Sequence, residues 1–449
     1  MNPNLLRPAS LRLLLLATLA LTTLPVFAEG PAYWKARDAE CRGNVERMIA
    51  ELQRHPPAAP VRLAVPLEHL ATTLEANGRF RELGLNAHDG RRLLRALYQH
   101  FGVPETRPAP AAIANTEKRG IASLPGYRPR GEFEPIDAVL MTWPDTSALN
   151  DEFITMMKTI HAGQAWIYLI VNNGFEQRRL SRTLGENGVD LSRISWITAR
   201  RNSMWVRDYG PLFLYNRAGS WAVADFHYFR NRPADDRIPT RFASLFGVPV
   251  VDRQRRENIV YTEGGNLMTD GLGAIVYSSR TYTGNPRTDA GTIDARIGSA
   301  LQATRAIVPD PPSLDGTGHV DMFLKIIKPD TVVIGRYRED QPDYTVLEET
   351  ASLFASTPNG AGQPWNIIRV PMPDVYYAYF GLPVVRTYIN GLMVNNQFIV
   401  PTYGLPEDAE ALNILAAQLP GKSLVPINAN EIIESLGAWH CVTMEFPRP

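Results

Sequence analysis

Short apolar runs alternate with stretches of helical periodicity from about residue 121 onward. Residues 136–143 and 165–171 are mostly apolar and rich in β-branched and aromatic side chains, which predicts two strands. Between them, residues 152–160 carry apolar side chains at helical spacing, which predicts a helix. This part of the chain is therefore expected to combine strands and helices in one domain.

Further along, three pairs of apolar runs flank turn residues and predict hairpins. The paired runs are 267–268 with 274–277, 322–327 with 331–334, and 392–394 with 398–400. Helices are predicted over 290–302, 348–355 and 407–418. The alternation favours repeated units of one β-hairpin and one helix over a single parallel βαβ sheet.

Residues 1–28 have the pattern of a cleaved export signal. Arg7 and Arg12 precede the apolar stretch 13–24, and Val26-Phe27-Ala28 offers small residues for cleavage. The apolar stretch is shorter than the roughly 20 residues that span a bilayer, although an uncleaved anchor is the alternative. We therefore expect a periplasmic or secreted protein that is not membrane-bound after cleavage.

Residues 29–120 are predicted to form a helical extension and a linker. Apolar residues recur at helical spacing over 48–52 and 93–101, and Pro104, Pro108 and Pro110 follow in a linker-like composition. The domain boundary is therefore placed near residue 120, with the chemistry expected in residues 121–449.

Composition excludes some classes of partner. Lysine plus arginine and aspartate plus glutamate both number 46, and hydrophobic residues make up 45% of the chain. Because the net charge is zero and no basic run is present, neither nucleic acid nor an anionic membrane is an expected partner. The chain has two cysteines, Cys41 and Cys441, and a disulfide between them is one interpretation in an oxidising compartment.

Cys441 stands in the run Gly437-Ala438-Trp439-His440-Cys441-Val442-Thr443. A lone cysteine is often a small buried hydrophobic residue, which is the alternative to a nucleophile. If this run is a strand, His440 points to the opposite face from Cys441 and cannot activate it. A catalytic partner is therefore expected from another part of the chain.

Other motifs supply an imidazole and carboxylates. His319 and Asp321 are two residues apart at the start of a predicted strand, which would place them on one face. Asp208 precedes Tyr209-Gly210-Pro211, a turn expected to end a strand. A core histidine and a turn-capping aspartate are the structural alternatives.

A guanidinium substrate would require this set of groups. The guanidinium ion is planar, stays charged because its pKa exceeds about 12, and pairs its N–H donors with carboxylates. Its weakly electrophilic carbon favours a thiolate nucleophile, and a histidine must transfer protons to ammonia and from water. Cys441, His319, Asp208 and Asp321 meet that requirement.

Taken together, the motifs resemble the agmatine deiminase and Porphyromonas-type peptidylarginine deiminase family over about residues 125–447. The motifs are Trp205-Val206-Arg207-Asp208-Tyr209-Gly210-Pro211, Glu263-Gly264-Gly265-Asn266, Gly318-His319-Val320-Asp321 and the cysteine run. The resemblance implies a pentein α/β-propeller of five ββαβ-like modules. It also implies hydrolysis to a citrulline-type product and ammonia through a covalent thiouronium on the cysteine.

Residue roles are carried over from the resemblance. It implies that Cys441 is the nucleophile, His319 the acid and base, and Asp208 and Asp321 the guanidinium ligands. Asn390 matches a polar position near the thiol and is expected to support it. The resemblance implies no cofactor. Two other classes stay open, namely a non-catalytic exported binding protein and a metal protein with His319, Asp321 and Cys441 as ligands.

The choice of guanidine depends on residues 225–233. This segment resembles the Tyr-x-Arg-x-Arg-Pro pattern of the peptidylarginine branch, in which two arginines bind the terminal carboxylate of the substrate. Arg230 and Arg232 would take that role here and would repel the ammonium group of agmatine. Trp205 is a candidate wall for the substrate stem. The predicted substrate is therefore C-terminal arginine in a peptide or protein, with agmatine or free arginine as the alternative. The small residues Gly316-Thr317-Gly318 before His319 resemble the pattern of the agmatine deiminase branch more closely.

Overall fold

In a computed structural model, the described residues are Arg92, Leu93, Ala96, 123–228, 231–251, 260–378 and 383–447. The predicted signal and most of the predicted helical extension lie outside them. Arg92, Leu93 and Ala96 are helical. Most described residues belong to one compact unit, Ile113–Asp190, Thr198–Ser244 and Val248–Pro449, while Leu191–Ile197 and Leu245–Gly247 belong to a second unit.

The strands are short and occur along the whole described chain. They are β1 Arg128–Pro129, β2 Ile136–Thr142, β3 Trp166–Val171, β4 Ile194–Thr198, β5 Leu212–Tyr215, β6 Trp221–Ala224, β7 Val250–Val251, β8 Met268–Thr269, β9 Ala274–Val276, β10 Arg305–Ile307, β11 Leu324–Lys328, β12 Thr331–Arg336, β13 Asn366–Pro371, β14 Tyr376–Tyr377, β15 Pro383–Val384, β16 Leu392–Val394, β17 Gln397–Thr402, β18 Ser423–Asn428 and β19 Thr443–Pro447.

The helices alternate with these strands. They are α1 Asn150–Ala162, α2 Gly174–Glu186, α3 Val206–Tyr209, α4 Ile238–Phe246, α5 Arg280–Gly284, α6 Ala290–Leu301, α7 Tyr344–Ser356, α8 Glu407–Gln418 and α9 Asn430–Ile433. Single 3-10 turns are formed by Ser147–Leu149, Leu191–Arg193, Asp235–Arg237, Gly264–Asn266 and Val320–Met322.

Five sheets of the described chain share one pairing pattern. In each, a middle strand pairs antiparallel with one neighbour and parallel with the other, and at least one helix separates the middle strand from its parallel neighbour along the chain. In the order antiparallel, middle, parallel, these sheets are β19-β2-β3, β5-β6-β7, β8-β9-β10, β11-β12-β13 and β16-β17-β18. None of the sheets in the described residues is closed on itself.

The mixed α/β class predicted from the sequence is confirmed, while closure into a five-module propeller stays a prediction. The three predicted hairpins are present as antiparallel pairs. The predicted helix over 407–418 has those bounds, and the other predicted helices agree to within a few residues. Among the residues that the structure describes, every helix is too short or too polar to span a bilayer.

Three local predictions at the motifs were wrong. His319 and Asp321 do not lie on a strand, because Val320–Met322 is a 3-10 turn and β11 begins at Leu324. Asp208 does not follow a strand, since it lies in α3 and precedes β5. Cys441 occupies a turn that ends where β19 begins. Functional side chains therefore come from turns beside the sheets.

Strand β19 is anchored by aromatic packing. Phe446 makes edge-on contacts with Phe213 and Trp221, with ring centroids 4.8 and 5.1 Å apart. Tyr168 and Phe242 complete the group at 5.7 and 6.2 Å. Because the Cys441 turn leads directly into β19, this cluster fixes the end of the segment that carries the thiol.

We expect Phe446→Ala to lower the free energy of unfolding by about 3–5 kcal/mol, because it removes a buried ring from four others. Equilibrium unfolding in denaturant measures the change. Phe175, whose side chain is 70% exposed, provides the matched control, and Phe175→Ala should change stability by less than about 0.5 kcal/mol. Equal losses in both variants would contradict the assigned role of the cluster.

Candidate active site

The Cys441 thiol is free and buried in a turn. The Thr443 hydroxyl closes this turn by donating to the carbonyl of Trp439 at 2.8 Å. The Cys441 carbonyl accepts a hydrogen bond from the Arg207 backbone N–H at 3.1 Å, which joins the turn to α3. The sulfur is therefore held by backbone contacts, beside the helix that carries Asp208.

Asn390 lies against the thiol and supports the loop around it. Its Nδ2 is 3.3 Å from the Cys441 sulfur and also donates to the Asp321 carbonyl at 3.3 Å. Its Oδ1 accepts from the Ala438 backbone N–H at 3.0 Å. The structure thus places Asn390, Asp321 and Cys441 together, and the thiol itself is 3.7 Å from Asp321 Oδ2.

His319 is oriented by carboxylates on both ring nitrogens. Its Nε2 bonds to Glu263 Oε2, and its Nδ1 faces Asp208 Oδ1 at 3.5 Å. Asn266 links the turns that carry Glu263 and His319, because its Oδ1 accepts from the Val320 backbone N–H at 3.2 Å. The short turns are thus held in register, and the imidazole lies among acids.

Gly265 leaves open the space between these groups. A side-chain β-carbon at this position would lie 2.7 Å from Asp208 Oδ1, 2.8 Å from His319 Nδ1 and 3.0 Å from Asp321 Oδ2. Such distances exclude every residue with a side chain unless the catalytic candidates move. The two aspartates and the histidine therefore surround one small volume that glycine keeps unfilled.

Two of the three atoms nearest this volume, Asp208 Oδ1 and His319 Nδ1, make no hydrogen bond with the described residues. The same holds for Asp321 Oδ1, the buried second oxygen of that carboxylate. Buried polar atoms are rarely left without a partner, because their desolvation costs about 1–3 kcal/mol each. The two carboxylate oxygens are acceptors, so a ligand that satisfies them must carry N–H or O–H donors.

Burial and charge shift the pKa values of the site. Burial raises the pKa of Asp208 to about 7, opposed by His319. Burial disfavours the His319 imidazolium, but Asp208, Glu263 and Asp321 together outweigh it and raise its pKa to about 10. Burial, with Asp321 and Asp208, raises the pKa of the Cys441 thiol well above its usual value. These shifts favour a neutral thiol and a protonated histidine near neutral pH.

Trp205 borders the thiol side of the site. A β-carbon at Gly437 would lie 2.8 Å from Trp205 Cζ3 and 3.0 Å from the Cys441 sulfur, so both approach the same glycine. Trp205 is partly exposed. This placement is compatible with the predicted wall for a substrate stem.

Arg232 contacts Tyr228, whose hydroxyl group senses the charge of Asp208, while Arg230 lies outside the described residues. The Arg232 guanidinium donates to the Tyr228 hydroxyl at 2.8 Å. Burial, followed by Asp208, raises the pKa of Tyr228, and Arg232 opposes this shift. The structure thus connects Arg232 to the site through Tyr228, but it does not test the predicted pair of arginines.

Glu263 and His440 also contact the candidate residues, although no role was predicted for either of them. The sequence signal for Glu263 is its position in the motif Glu263-Gly264-Gly265-Asn266, which also carries the resemblance to the family. The sequence gives no such signal for His440, because a strand would direct its side chain away from Cys441. The turn instead directs its Nδ1 to Asp321 Oδ2 at 2.7 Å.

The metal alternative is not supported by the grouping of ligands. In the described part of the chain, the side chains close enough to share an ion are Glu132, His440 and Glu445, not the predicted set. Arg207 binds both of these glutamates, and Lys325 binds Glu132 at 2.5 Å. Side-chain cations thus already neutralise the carboxylates of that group.

Comparison with known proteins places this geometry in a family. Residues 128–447 match the family described as Porphyromonas-type peptidyl-arginine deiminase. The chain is 25% identical over 362 residues to agmatine deiminase of Pseudomonas fluorescens, covering 72% of this chain and 96% of that protein. It is 24% identical over 363 residues to agmatine deiminase of Pseudomonas aeruginosa, again covering 72% and 96%.

Solved structures show the same fold. Agmatine deiminase of Enterococcus faecalis superposes with a TM-score of 0.64 at 22% identity, covering 72% of this chain and 96% of that one. The fold therefore resembles that of pentein-type deiminases, and the resemblance predicted from the motifs is confirmed. The family match covers more than half of the residues of this chain, and the chain therefore belongs to the Porphyromonas-type peptidyl-arginine deiminase family.

Proposed function

We propose that this protein hydrolyses a guanidinium group to a urea and ammonia, and that a small cationic guanidine such as agmatine is its first candidate substrate. The observation that carries the proposal is a pair of buried carboxylate oxygens without a hydrogen-bond partner in the described residues, Asp208 Oδ1 and Asp321 Oδ1, on two aspartates that meet at Gly265 beside a buried thiol. Two carboxylate oxygens without donors match the two N–H edges of a guanidinium ion.

In this proposal, Asp208 Oδ1 and Asp321 Oδ1 accept hydrogen bonds from the guanidinium nitrogens. Both atoms are buried and lack a hydrogen bond within the described residues, so the substrate satisfies them without breaking a contact. The bound cation also offsets the like charges of the carboxylates. Recognition and charge compensation thus come from the same interaction.

The bound cation also activates the nucleophile. The carboxylates and burial raise the pKa of Cys441, and a positive charge placed beside the sulfur lowers it again. The thiol proton passes to solvent, and the thiolate attacks the central carbon, so that a C–S bond forms as the C–N π bond opens to give a tetrahedral adduct. His319 donates a proton to the departing nitrogen, ammonia leaves, and a thiouronium remains on Cys441.

Water completes the reaction. His319, neutral after the first step, removes a proton from water as the oxygen attacks the thiouronium carbon. The C–S bond breaks, the sulfur leaves as thiolate, and the product is the urea analogue of the substrate. Glu263 holds Nε2 of His319, so Nδ1, which faces the open volume, is the nitrogen assigned to proton transfer.

The named relatives favour agmatine. The proteins of Pseudomonas fluorescens and Pseudomonas aeruginosa that resemble this chain are agmatine deiminases. A C-terminal arginine is the second candidate, because Arg232 is connected to the site through Tyr228 and its guanidinium would pair with a carboxylate. The same charge would oppose the ammonium group of agmatine.

Two broader expectations accompany this function. The repeated pairing of a hairpin with a parallel strand supports a closed propeller of five modules, with β19 completing the module that begins at β2. The charged and apolar pattern of residues 1–28 supports export to the periplasm or beyond.

We expect hydrolysis of agmatine to exceed hydrolysis of peptides that end in arginine, when ammonia and the urea product are both quantified. Cys441→Ser should lose activity by at least about 1,000-fold, because a hydroxyl is a much weaker nucleophile here. A preference for free C-terminal arginine over the same amidated peptide would instead support the second candidate. Absence of turnover with every guanidine would contradict the proposed function.

The pH dependence follows from Asp208. Its carboxylate must be ionised to bind the cation, and its raised pKa of about 7 means that ionisation is lost as the pH falls through this value. We therefore expect kcat/KM to decrease below about pH 7. The corresponding limb of kcat should lie at lower pH, because the bound guanidinium favours the ionised form.

Steady-state kinetics over a pH series measures both limbs. Circular dichroism at each pH controls for loss of fold. An acid limb of kcat/KM within the ordinary aspartate range, near about 4, would contradict the burial of Asp208 as the controlling factor.

A further inference from the structure

A buried group of charged side chains is connected to Asp321 through the Oδ2 atom of its carboxylate. His440 contacts Asp321, and Glu132 contacts His440. Arg207 and Lys325 contact Glu132, and Arg207 also contacts Glu445. None of these residues other than Asp321 has a role in the proposed chemistry.

His440 is held between two carboxylates. Its Nδ1 is 2.7 Å from Asp321 Oδ2, and its Nε2 is 2.9 Å from Glu132 Oε1. A neutral imidazole has one N–H donor and one lone pair, so it can donate to only one of them. The other nitrogen would direct its lone pair at a carboxylate oxygen, which is repulsive. The contacts therefore require an imidazolium or a protonated carboxyl group.

The surroundings of Glu132 favour the imidazolium. Arg207 and Lys325 both form ion pairs with Glu132, and these two cations favour its ionised form independently of His440. Glu132 is then an acceptor on both oxygens. Its Oε1 accepts from His440 and Arg207, and its Oε2 accepts from Lys325 at 2.5 Å.

Charge balance supports the same state. Three carboxylates, those of Asp321, Glu132 and Glu445, face the two permanent cations Arg207 and Lys325. A neutral His440 would leave one uncompensated negative charge in this buried group, which is costly in a low-dielectric interior. A protonated His440 makes the group neutral.

We propose that His440 is a protonated positioning residue, whose Nδ1–H binds Asp321 Oδ2 and so holds the Asp321 carboxylate at the open volume beside Gly265, where the guanidinium substrate binds. The inference rests on the proposed function for the identity of the ligand, but the charge state of His440 does not. Asp321 Oδ2 is the oxygen that lies 3.0 Å from a β-carbon placed at Gly265, and Asp321 Oδ1 is buried without a hydrogen-bond partner in the described chain. The neighbouring carbonyl of His440 accepts from Arg207 Nε at 3.4 Å, which adds a second tie to the same network.

Two substitutions separate positioning from packing. The amide nitrogen of asparagine can take the place of Nδ1, whereas that of glutamine reaches the place of Nε2. His440→Asn therefore keeps the donor to Asp321 and loses the donor to Glu132, and His440→Gln does the reverse. Both variants lose one hydrogen bond and one charge, so their folding stabilities should be similar.

We expect kcat/KM for agmatine to fall on the order of 100-fold in His440→Gln and by less than about tenfold in His440→Asn, because only the former releases Asp321. Agmatine binding by calorimetry, with Cys441→Ser added to each variant, should show the same order without any turnover. If kcat/KM and agmatine binding fall equally in the two His440 variants, in proportion to their losses of unfolding free energy, the positioning role of His440 would be overturned.

The charge state is tested in the unaltered protein. Nitrogen NMR of protein labelled at histidine should show both His440 ring nitrogens protonated at neutral pH, with His440→Asn used for assignment. The groups that face His440 are the carboxylates of Asp321, Glu132 and Glu445 and the guanidinium of Arg207, and Lys325 binds the other oxygen of Glu132. A neutral tautomer at neutral pH would overturn the proposal. This spectrum is informative even if no guanidine is hydrolysed, which separates failure of the inference from failure of the proposed function.

Discussion

The structure depends on the cost of holding carboxylates in a buried site that lacks a full set of cations. Asp208 and Glu263 contact His319, and Asp321 also acts on its charge, so this imidazolium faces three carboxylates. The raised pKa of Asp208 shows that its charge is poorly compensated by the protein alone. A planar cation that brings N–H donors relieves this cost, whereas a neutral molecule does not.

The same constraint explains the order of events in the proposed reaction. Negative neighbours keep the Cys441 sulfur protonated until positive charge arrives. A thiolate that forms only on binding is protected from reacting before the substrate arrives. Behind the site, Arg207, Lys325 and His440 neutralise acids permanently, so that the carboxylate oxygens in front stay available. The cationic side chains of the protein therefore stabilise the buried carboxylates, and the bound guanidinium substrate activates the thiol.

Sequence patterns predicted the hairpins well because each turn has its own residue signature. Asp270-Gly271 and Asn395-Asn396 lie between strands that pair as expected. The identities of Cys441, His319 and Asp321 followed from the groups that guanidine chemistry needs. Their local conformations did not, because periodicity at the end of an apolar run cannot distinguish a strand from a short 3-10 turn.

That error had a chemical consequence for His440. A strand would direct it away from Cys441, whereas the observed turn places it on Asp321, a residue more than 100 positions away in the chain. Glu263 was also assigned no role, since its contact with His319 depends on how Asn266 joins two distant turns. Long-range hydrogen bonds of this kind leave no periodic signal in a sequence. The preference between agmatine and peptidyl arginine also depends on long-range contacts, namely on how residues around Arg232 approach the site, and sequence periodicity does not encode these contacts.

The central claim is that the thiol reacts because a cation occupies the aspartate pair. The rate of Cys441 alkylation by chloroacetamidine, a cation, compared with that by the neutral chloroacetamide, tests it most directly, with intact-mass spectrometry locating the adduct and agmatine as competitor. The account predicts that the cation reacts faster by about 100-fold or more, as a cation-dependent thiolate requires, and that agmatine protects the thiol. Equal rates for the two reagents, without protection by agmatine, would contradict it.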